Sequence, residues 1–186
     1  MTFSFTRKRY EDTFFQDINL YMPDCMKYDL YEDKEVAGTL LINHSKAFAR
    51  FREGMTYQYR DKSILFQPTA YILKDETGAD FAKIFTREPW LGEKQVHIQF
   101  TAENSSCRFT AGDVVRNRGP FNLIIEIFEG TESVFILNEY EHRIHTAVES
   151  SRPMAGIIEI PDKLEKDKIW GFLIAIQVYF WSMEPD

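Results

Sequence analysis

Two pairs of arginines are the residues of this chain whose type and spacing best suit ligand chemistry. Arg50 and Arg52 are separated by one residue, and so are Arg116 and Arg118. Side chains two positions apart leave the same face of an extended strand, and convergent guanidinium groups fit the oxygens of a phosphate. The spacing therefore predicts a site for phosphate or a lipid head group at one of these pairs. Solvated arginines at strand ends are the alternative interpretation.

Trp90 is the candidate for an apolar anchor. It lies in the loop sequence Pro89-Trp90-Leu91, between two segments with strand character. An exposed loop tryptophan can contact a lipid surface or a partner protein. The alternative is a tryptophan that folds over the end of the domain and packs there.

The histidines form no recognisable metal-binding motif. His142 and His145 are three residues apart in a segment with strand character, and residues three apart on a strand point to opposite faces. Glu139, Glu141, Arg143 and His145 would share one face of such a strand, and we interpret them as a solvated charged stripe. His44 and His97 are interpreted as exposed side chains without a role.

The two cysteines, Cys25 and Cys107, are too few and too distant in sequence for a disulfide framework. Neither has an evident activating base beside it, so a structural thiol is the better interpretation. The chain also lacks a nucleophile elbow and a phosphate-binding loop. The sequence thus predicts a protein that is not an enzyme and that uses no cofactor or metal.

Composition and charge narrow the classes of partner. The chain of 186 residues has a formal net charge of −7. An acidic surface repels phosphate backbones and disfavours binding of nucleic acid through a broad basic face. It also disfavours loose adhesion to an anionic membrane unless a local basic patch overcomes the repulsion. The amino-terminal cluster Arg7-Lys8-Arg9 is interpreted as a solubilising terminus, and because the start of the chain lacks the apolar stretch of a signal peptide, a cytoplasmic location is expected.

Most of the chain carries the alternation of β-strands. In Gln95-Val96-His97-Ile98-Gln99-Phe100 every second residue is apolar, which predicts a strand with Val96, Ile98 and Phe100 inward. Turn signals such as Asp75-Glu76-Thr77-Gly78 recur along the chain. The pattern predicts about 12 antiparallel strands in one domain over residues 1–186. Residues 13–21 fit either a strand or a short helix, and Pro23-Asp24 predicts a turn.

The last apolar stretch, Ile169 to Trp181, organises the fold. Its thirteen residues have no polar face and are too few to cross a hydrocarbon core, which takes about 20. A helix that is apolar all round must be surrounded by protein. Asp162 as N-cap and Glu165 as its capping-box partner predict a helix over about residues 163–183. Gly171 and Ala175 are its small residues and are expected to face the closest strands, where bulky side chains need room.

These elements predict an all-β fold with one buried helix. A sheet of about 12 strands tends to curl or close, and a closed barrel of that size has an interior that something must fill. We expect a closed antiparallel β-barrel around the carboxyl-terminal helix. An open barrel or sandwich with the helix on one face is the alternative.

About 12 antiparallel strands followed by a very hydrophobic helix at the carboxyl terminus resemble the tubby-like superfamily, which includes the tubby, phospholipid scramblase and LURP-one-related proteins. The resemblance is carried by Ile169 to Trp181 and by the strand, acidic turn with glycine, strand pattern of residues 71–84. It implies a helix that threads the barrel and a binding or membrane-proximal role without catalysis. The palmitoylated cysteine cluster of scramblases is absent from this sequence.

The leading functional hypothesis is therefore a non-enzymatic, tubby-like binding module for a membrane lipid head group or a protein, cytoplasmic and able to associate with a membrane. The alternative is an acidic inhibitor or immunity-type protein that neutralises a basic partner, which the net charge of −7 favours. A small-molecule carrier or an enzyme that uses the barrel interior is disfavoured, because the helix would fill that interior.

Overall fold

The computed structural model describes residues 1–16, 20–44, 46–51, 56–62, 70–75, 77–87, 92–102, 105–140 and 154–183. Within these ranges the chain forms thirteen strands, one short 3₁₀-helix (Ala111–Asp113) and one α-helix, α1 (Lys168–Trp181). The strands are β1 (Thr2–Phe15), β2 (Leu20–Glu32), β3 (Glu35–Ile42), β4 (Ala47–Phe51), β5 (Thr56–Lys62), β6 (Ala70–Lys74), β7 (Asp80–Arg87), β8 (Gln95–Phe100), β9 (Ser105–Thr110), β10 (Val114–Arg118), β11 (Phe121–Glu129), β12 (Glu132–Tyr140) and β13 (Met154–Glu159).

All the strands belong to one antiparallel sheet. Its order is β10-β11-β12-β13-β1-β2-β3-β4-β5-β6-β7-β8-β9, so nearly every strand pairs with its neighbours in the chain. β9 also pairs with β11 at two positions, Phe128 with Arg108 and Glu129 with Cys107. The predicted all-β fold with one carboxyl-terminal helix is confirmed, with thirteen described strands rather than about 12. Closure of the sheet into a barrel stays a prediction.

Local turn chemistry explains the hairpins that the sequence predicted. The Asp75 carboxylate accepts hydrogen bonds from the backbone N–H groups of Thr77 and Ala79, at 2.9 and 3.0 Å, and Gly78 has a φ of 84°. This turn joins β6 to β7 because glycine adopts positive φ without strain and the aspartate satisfies the turn amides. Asp33 and Lys34 make the β2–β3 turn with φ values of 51° and 70°.

The amino-terminal hairpin differs from its prediction. Residues 13–15 and 20–21 are extended in β1 and β2, so the strand alternative holds for them. Gln16 follows β1 and lies outside the strand. Pro23 and Asp24 lie within β2 rather than at a turn. Asp24 has a φ of 44°, and its carboxylate accepts a hydrogen bond from Arg9 Nε at 2.9 Å across the hairpin. Pro23-Asp24 thus distorts the backbone of β2 locally without ending the strand.

The predicted start of the helix is wrong. α1 begins at Lys168, and its N-cap Asp167 makes no side-chain capping bond. Asp162, the predicted N-cap, instead pairs with the Met1 amino group at 2.6 Å. Residues 161–167 form successive turns, with backbone bonds such as Leu164 N to Pro161 O at 3.0 Å. Lys163 also pairs with Glu132 and Lys166 with Glu32 of the sheet. The Asp162 carboxylate is thus engaged by the Met1 amino group and does not cap the helix.

Side chains from widely separated strands surround α1. Every residue from Lys168 to Tyr179 is buried. Rings on five strands contact the helix or hydrogen bond to it: Phe51 on β4 packs on Trp170, Phe100 on β8 and Phe135 on β12 pack on Phe172, Phe109 on β9 packs on Tyr179, and Tyr28 on β2 bonds to Gln177. The expectation for Gly171 is confirmed, since a Cβ there would lie 3.0 Å from the Phe100 ring.

Candidate anion-binding site

The arginines singled out by the sequence lie on separate parts of the sheet. Arg50 is exposed on β4, where it pairs with Thr39 of β3 and Thr56 of β5. Its predicted companion, Arg52, lies outside the described residues. The Arg50 and Arg52 pair therefore stays a prediction.

Arg116 and Arg118 are both exposed on β10. The residue between them, Asn117, has a φ of 53°. The extended backbone that would aim both side chains from one face is interrupted there, since the alternation of side chains depends on continuous β geometry. A phosphate site at this pair stays a prediction, but its geometric premise does not hold.

Trp90 and the segment Glu141 to His145 lie outside the described residues. The other two histidines differ in exposure. His44 is exposed, as predicted, and its ring stacks on Trp181 with centroids 4.4 Å apart. His97 is half-buried on β8. The interpretation of His97 as an exposed side chain is therefore wrong.

His97 is the centre of a site that sequence reasoning missed. The register places Phe85 of β7 opposite His97 of β8, and His97 opposite Arg108 of β9. Lys83 and Arg87 are two residues to either side of Phe85 and so share its outward face. We call this surface the basic face; its residues are Lys83, Phe85, Arg87, His97 and Arg108.

The basic face has an aromatic centre with cations around it. The rings of Phe85 and His97 stack with centroids 5.1 Å apart and an interplanar angle of 7°. Lys83 Nζ lies 5.6 Å and Arg87 Cζ 5.5 Å from the centroid of the Phe85 ring, which is cation–π distance. His97 Nε2 lies 3.1 Å from Gln95 Oε1, so the amide fixes the orientation of the imidazole.

The cations of the basic face have no carboxylate partner among the described residues. The salt bridges of the described ranges involve other residues than Lys83, Arg87 and Arg108. Partial burial lowers the pKa of His97, and the positive charges of Arg87 and Arg108 lower it further. The face is thus a local concentration of positive charge on an acidic protein, and its electrostatics favour an anion.

A second charged cluster lies on the inner side of the sheet and is internally paired. Arg7 Nη2 of β1 is 2.7 Å from Glu139 Oε2 of β12, and the Glu139 side chain is 2% exposed. Burial alone would lower the pKa of Arg7, but the attraction of Tyr28 and Glu139 outweighs burial and raises it. Tyr28 in turn donates to Gln177 Oε1 of α1 at 3.0 Å. The interpretations of Arg7 as part of a solubilising terminus and of Glu139 as part of a solvated stripe are therefore wrong, because both side chains are structural contacts of the core.

Both cysteines lie in the protein interior. Cys25 and Cys107 are buried and form no disulfide with each other, and burial raises the pKa of the Cys25 thiol to about 11. A thiol with a raised pKa is a poor nucleophile at neutral pH. The described residues contain no cluster of three or more histidine, cysteine or acidic side chains placed to hold a metal ion.

The signal for the basic face was only partly present in the sequence. The alternation Lys83, Phe85, Arg87 in one strand was readable and marks a basic, aromatic outward face. His97 and Arg108 joined it only through strand register, which sequence spacing did not specify.

The described part of the chain contains no helix with the length and apolarity needed to span a membrane.

Comparison with known proteins adds no family to these observations. No protein-family model, curated protein or solved structure matches the chain.

Proposed function

We propose that this chain is a non-enzymatic, tubby-like binding module that recognises the phosphate of a membrane lipid head group through the basic face. The observation that carries the proposal is the convergence of Lys83, Arg87 and Arg108 around the stacked rings of Phe85 and His97 without a described carboxylate partner.

Each component of the face has a role in this recognition. Arginine offers planar, bidentate hydrogen bonding to phosphate oxygens, and lysine offers a compact positive charge. The aromatic stack supplies an apolar surface that can lie against the glycerol and upper acyl region of a lipid. Partial burial, with the charges of Arg87 and Arg108, lowers the pKa of His97. A bound anion would offset the arginine charges and favour protonation of the imidazole.

The overall charge of −7 sets the conditions under which the face acts. Long-range repulsion from an anionic membrane opposes binding, while the local positive face orients the molecule at short range. Lipid binding should therefore be weak, specific to one orientation and sensitive to ionic strength.

The architecture proposed with this function is a closed barrel around α1. Two residue pairs bring β9, at one end of the sheet order, beside β11, the second strand from the other end. Rings from five strands contact the helix or hydrogen bond to it. Such a packed support would hold β7, β8 and β9 in fixed register. Rigid strands position charged side chains more accurately than loops do.

The test is co-sedimentation of the protein with liposomes of phosphatidylcholine, with and without phosphatidylserine or phosphoinositide, at low salt. The wild type is expected to bind the anionic liposomes, and the Arg87→Gln/Arg108→Gln variant to lose at least about tenfold in affinity, since it gives up two charge-assisted contacts. Binding by both proteins should weaken as salt rises.

The matched control is Lys34→Gln/Lys163→Gln, which removes the same charge from exposed positions outside the basic face and outside the predicted arginine pairs. It should bind as the wild type does. An equal loss in both variants would assign binding to overall charge and count against the basic face. Absence of binding to any liposome would contradict the proposal and favour the acidic protein that neutralises a basic partner.

A further inference from the structure

A cavity of about 240 Å³ lies where α1 enters the sheet, away from the basic face. It is lined by Phe3, Glu32, Asp33, Glu35, Ala37, Phe51 and Lys166. Three carboxylates and one ammonium group thus share a cavity that has two aromatic walls. Glu32 and Asp33 alone outnumber Lys166, so the cavity has a negative excess without counting Glu35, which has an interaction of its own. The ammonium group already occupies part of the space.

Lys166 shows which chemical group this cavity accommodates. Its ammonium lies 5.6 Å from the centroid of the Phe3 ring and 3.2 Å from each of the two Glu32 carboxylate oxygens. An aromatic face on one side and a two-oxygen carboxylate on the other are the two contacts that most favour an alkylammonium ion. The protein's own lysine therefore marks a complete ammonium-binding geometry.

The lysine is not locked into this position. Its side chain is 36% exposed and that of Glu32 is 47% exposed. Ion pairs with this exposure contribute little to stability because water competes for both groups. Asp33 lies beside the pair and is exposed, without a salt bridge in the described part of the chain. A second ammonium group would find both an exchangeable site and unneutralised charge.

We propose that this cavity is a binding site for the primary ammonium group of an organic amine, and that Lys166 is its internal occupant when no amine is present. The amine exchanges with the lysine side chain, which swings into solvent from the turn that precedes α1. The inference does not depend on the basic face, since the two regions share no residue.

The experiment titrates n-butylammonium chloride into the protein and follows the backbone amide resonances of residues 32–37 by ¹H–¹⁵N NMR, with sodium chloride at equal ionic strength as the reference titration. The wild type should show saturable shifts confined to this region. Lys166→Met removes the internal competitor and should bind the amine about fivefold more tightly, the factor expected for losing one partly exposed ion pair.

Lys163→Met is the matched control, because Lys163 lies in the same turns and pairs with Glu132 at 2.8 Å outside the cavity. It should keep the wild-type affinity. Adding Glu32→Gln to Lys166→Met should abolish saturable binding. If Lys166→Met loses the native spectrum, Lys166→Gln replaces it.

Three results would overturn the proposal: shifts that sodium chloride reproduces, equal affinities in the Lys166 and Lys163 variants, or binding that survives Glu32→Gln. The first assigns the shifts to screening. The second and third place the amine at another acidic part of the surface.

Discussion

The inner side of the sheet and the basic face both place an arginine over an aromatic ring, but they use it differently. Arg7 Cζ lies 5.6 Å from the Phe180 ring centroid, and Arg87 Cζ lies 5.5 Å from that of Phe85. Arg7 is also held by Glu139 at 2.7 Å, whereas Arg87 has no described carboxylate partner. Both regions have this contact between an arginine and an aromatic ring. The contact alone therefore does not tell a structural arginine from an arginine that is available to bind a ligand.

The difference between the two regions lies in burial and in charge compensation. A buried guanidinium without a partner is costly, so the interior supplies Glu139 to neutralise Arg7. An exposed guanidinium is hydrated and needs no partner. The uncompensated charge of the basic face is therefore available to a ligand, and the compensated charge of the interior is committed to the fold.

Of the substitutions proposed here, Glu139→Ala in the interior region is expected to destabilise the protein most. It leaves the Arg7 guanidinium without its carboxylate, and removing one partner of a buried pair costs about 3–5 kcal/mol. Urea denaturation should show this loss in the free energy of unfolding. Glu132→Ala is the control, since its pair with Lys163 is 61% and 73% exposed and exposed pairs contribute about 0–1 kcal/mol. Equal effects of the two substitutions would refute the distinction drawn between buried and exposed charge.

A smaller loss is expected from Ala175→Leu in the helix. Ala175 has no exposed surface, and added methylenes in a packed interior cost about 1–3 kcal/mol. Thermal and urea unfolding would measure the change, with the exposed Ala102→Leu as control. A change below about 0.5 kcal/mol, the range of surface substitutions, would contradict a helix enclosed on all sides.

His97 of the basic face should make the stability of the folded protein depend on pH. Its pKa is lowered in the folded state by partial burial and by Arg87 and Arg108. The unfolded chain therefore takes up the proton first, so stability should fall as pH drops below the ordinary histidine pKa of about 6.5 toward the lowered value. His97→Gln should flatten the profile in this window while leaving the acid limb due to carboxylates. Parallel wild-type and variant profiles would contradict the lowered pKa.

The smallest effect on stability is expected on the basic face itself. Arg108→Gln should change the free energy of unfolding by less than about 0.5 kcal/mol, because the side chain is exposed and lacks a described ion pair. The same substitution should weaken binding to anionic liposomes. A stability loss approaching that of Glu139→Ala would show that Arg108 is a structural residue and would remove the contrast between the two regions.

Local chemistry made several features predictable from the sequence. The turn at Asp75 to Gly78 was predictable because the aspartate satisfies turn amides and the glycine adopts positive φ. Alternation predicted that Val96, Ile98 and Phe100 point inward, and all three are buried. Each of these predictions depends on residues that are close together in the chain.

Features that depend on distant contacts were predicted poorly. The capping signal of Asp162 and Glu165 produced no helix start there. Asp162 pairs with the Met1 amino group and residues 161–167 form turns, so α1 begins later. The sequence predicted Arg7 as a surface residue. In the folded sheet, Glu139 of β12 lies beside Arg7 and pairs with it. The prediction of the arginine pairs depends on spacing within one strand. That spacing carries no information about the side chains that neighbouring strands place beside them.

The sequence by itself determined the strand-rich class, the turn at Asp75 to Gly78 and the burial of the carboxyl-terminal helix. Periodicity, turn propensity and apolarity act over a few residues. The tertiary structure decided which of the described charged side chains lie beside an opposite charge and which do not. Strand register aligned Phe85, His97 and Arg108 in one row and placed Glu139 against Arg7. Register is set jointly by side-chain packing and turn geometry across the whole sheet, so no single segment of the chain specifies it.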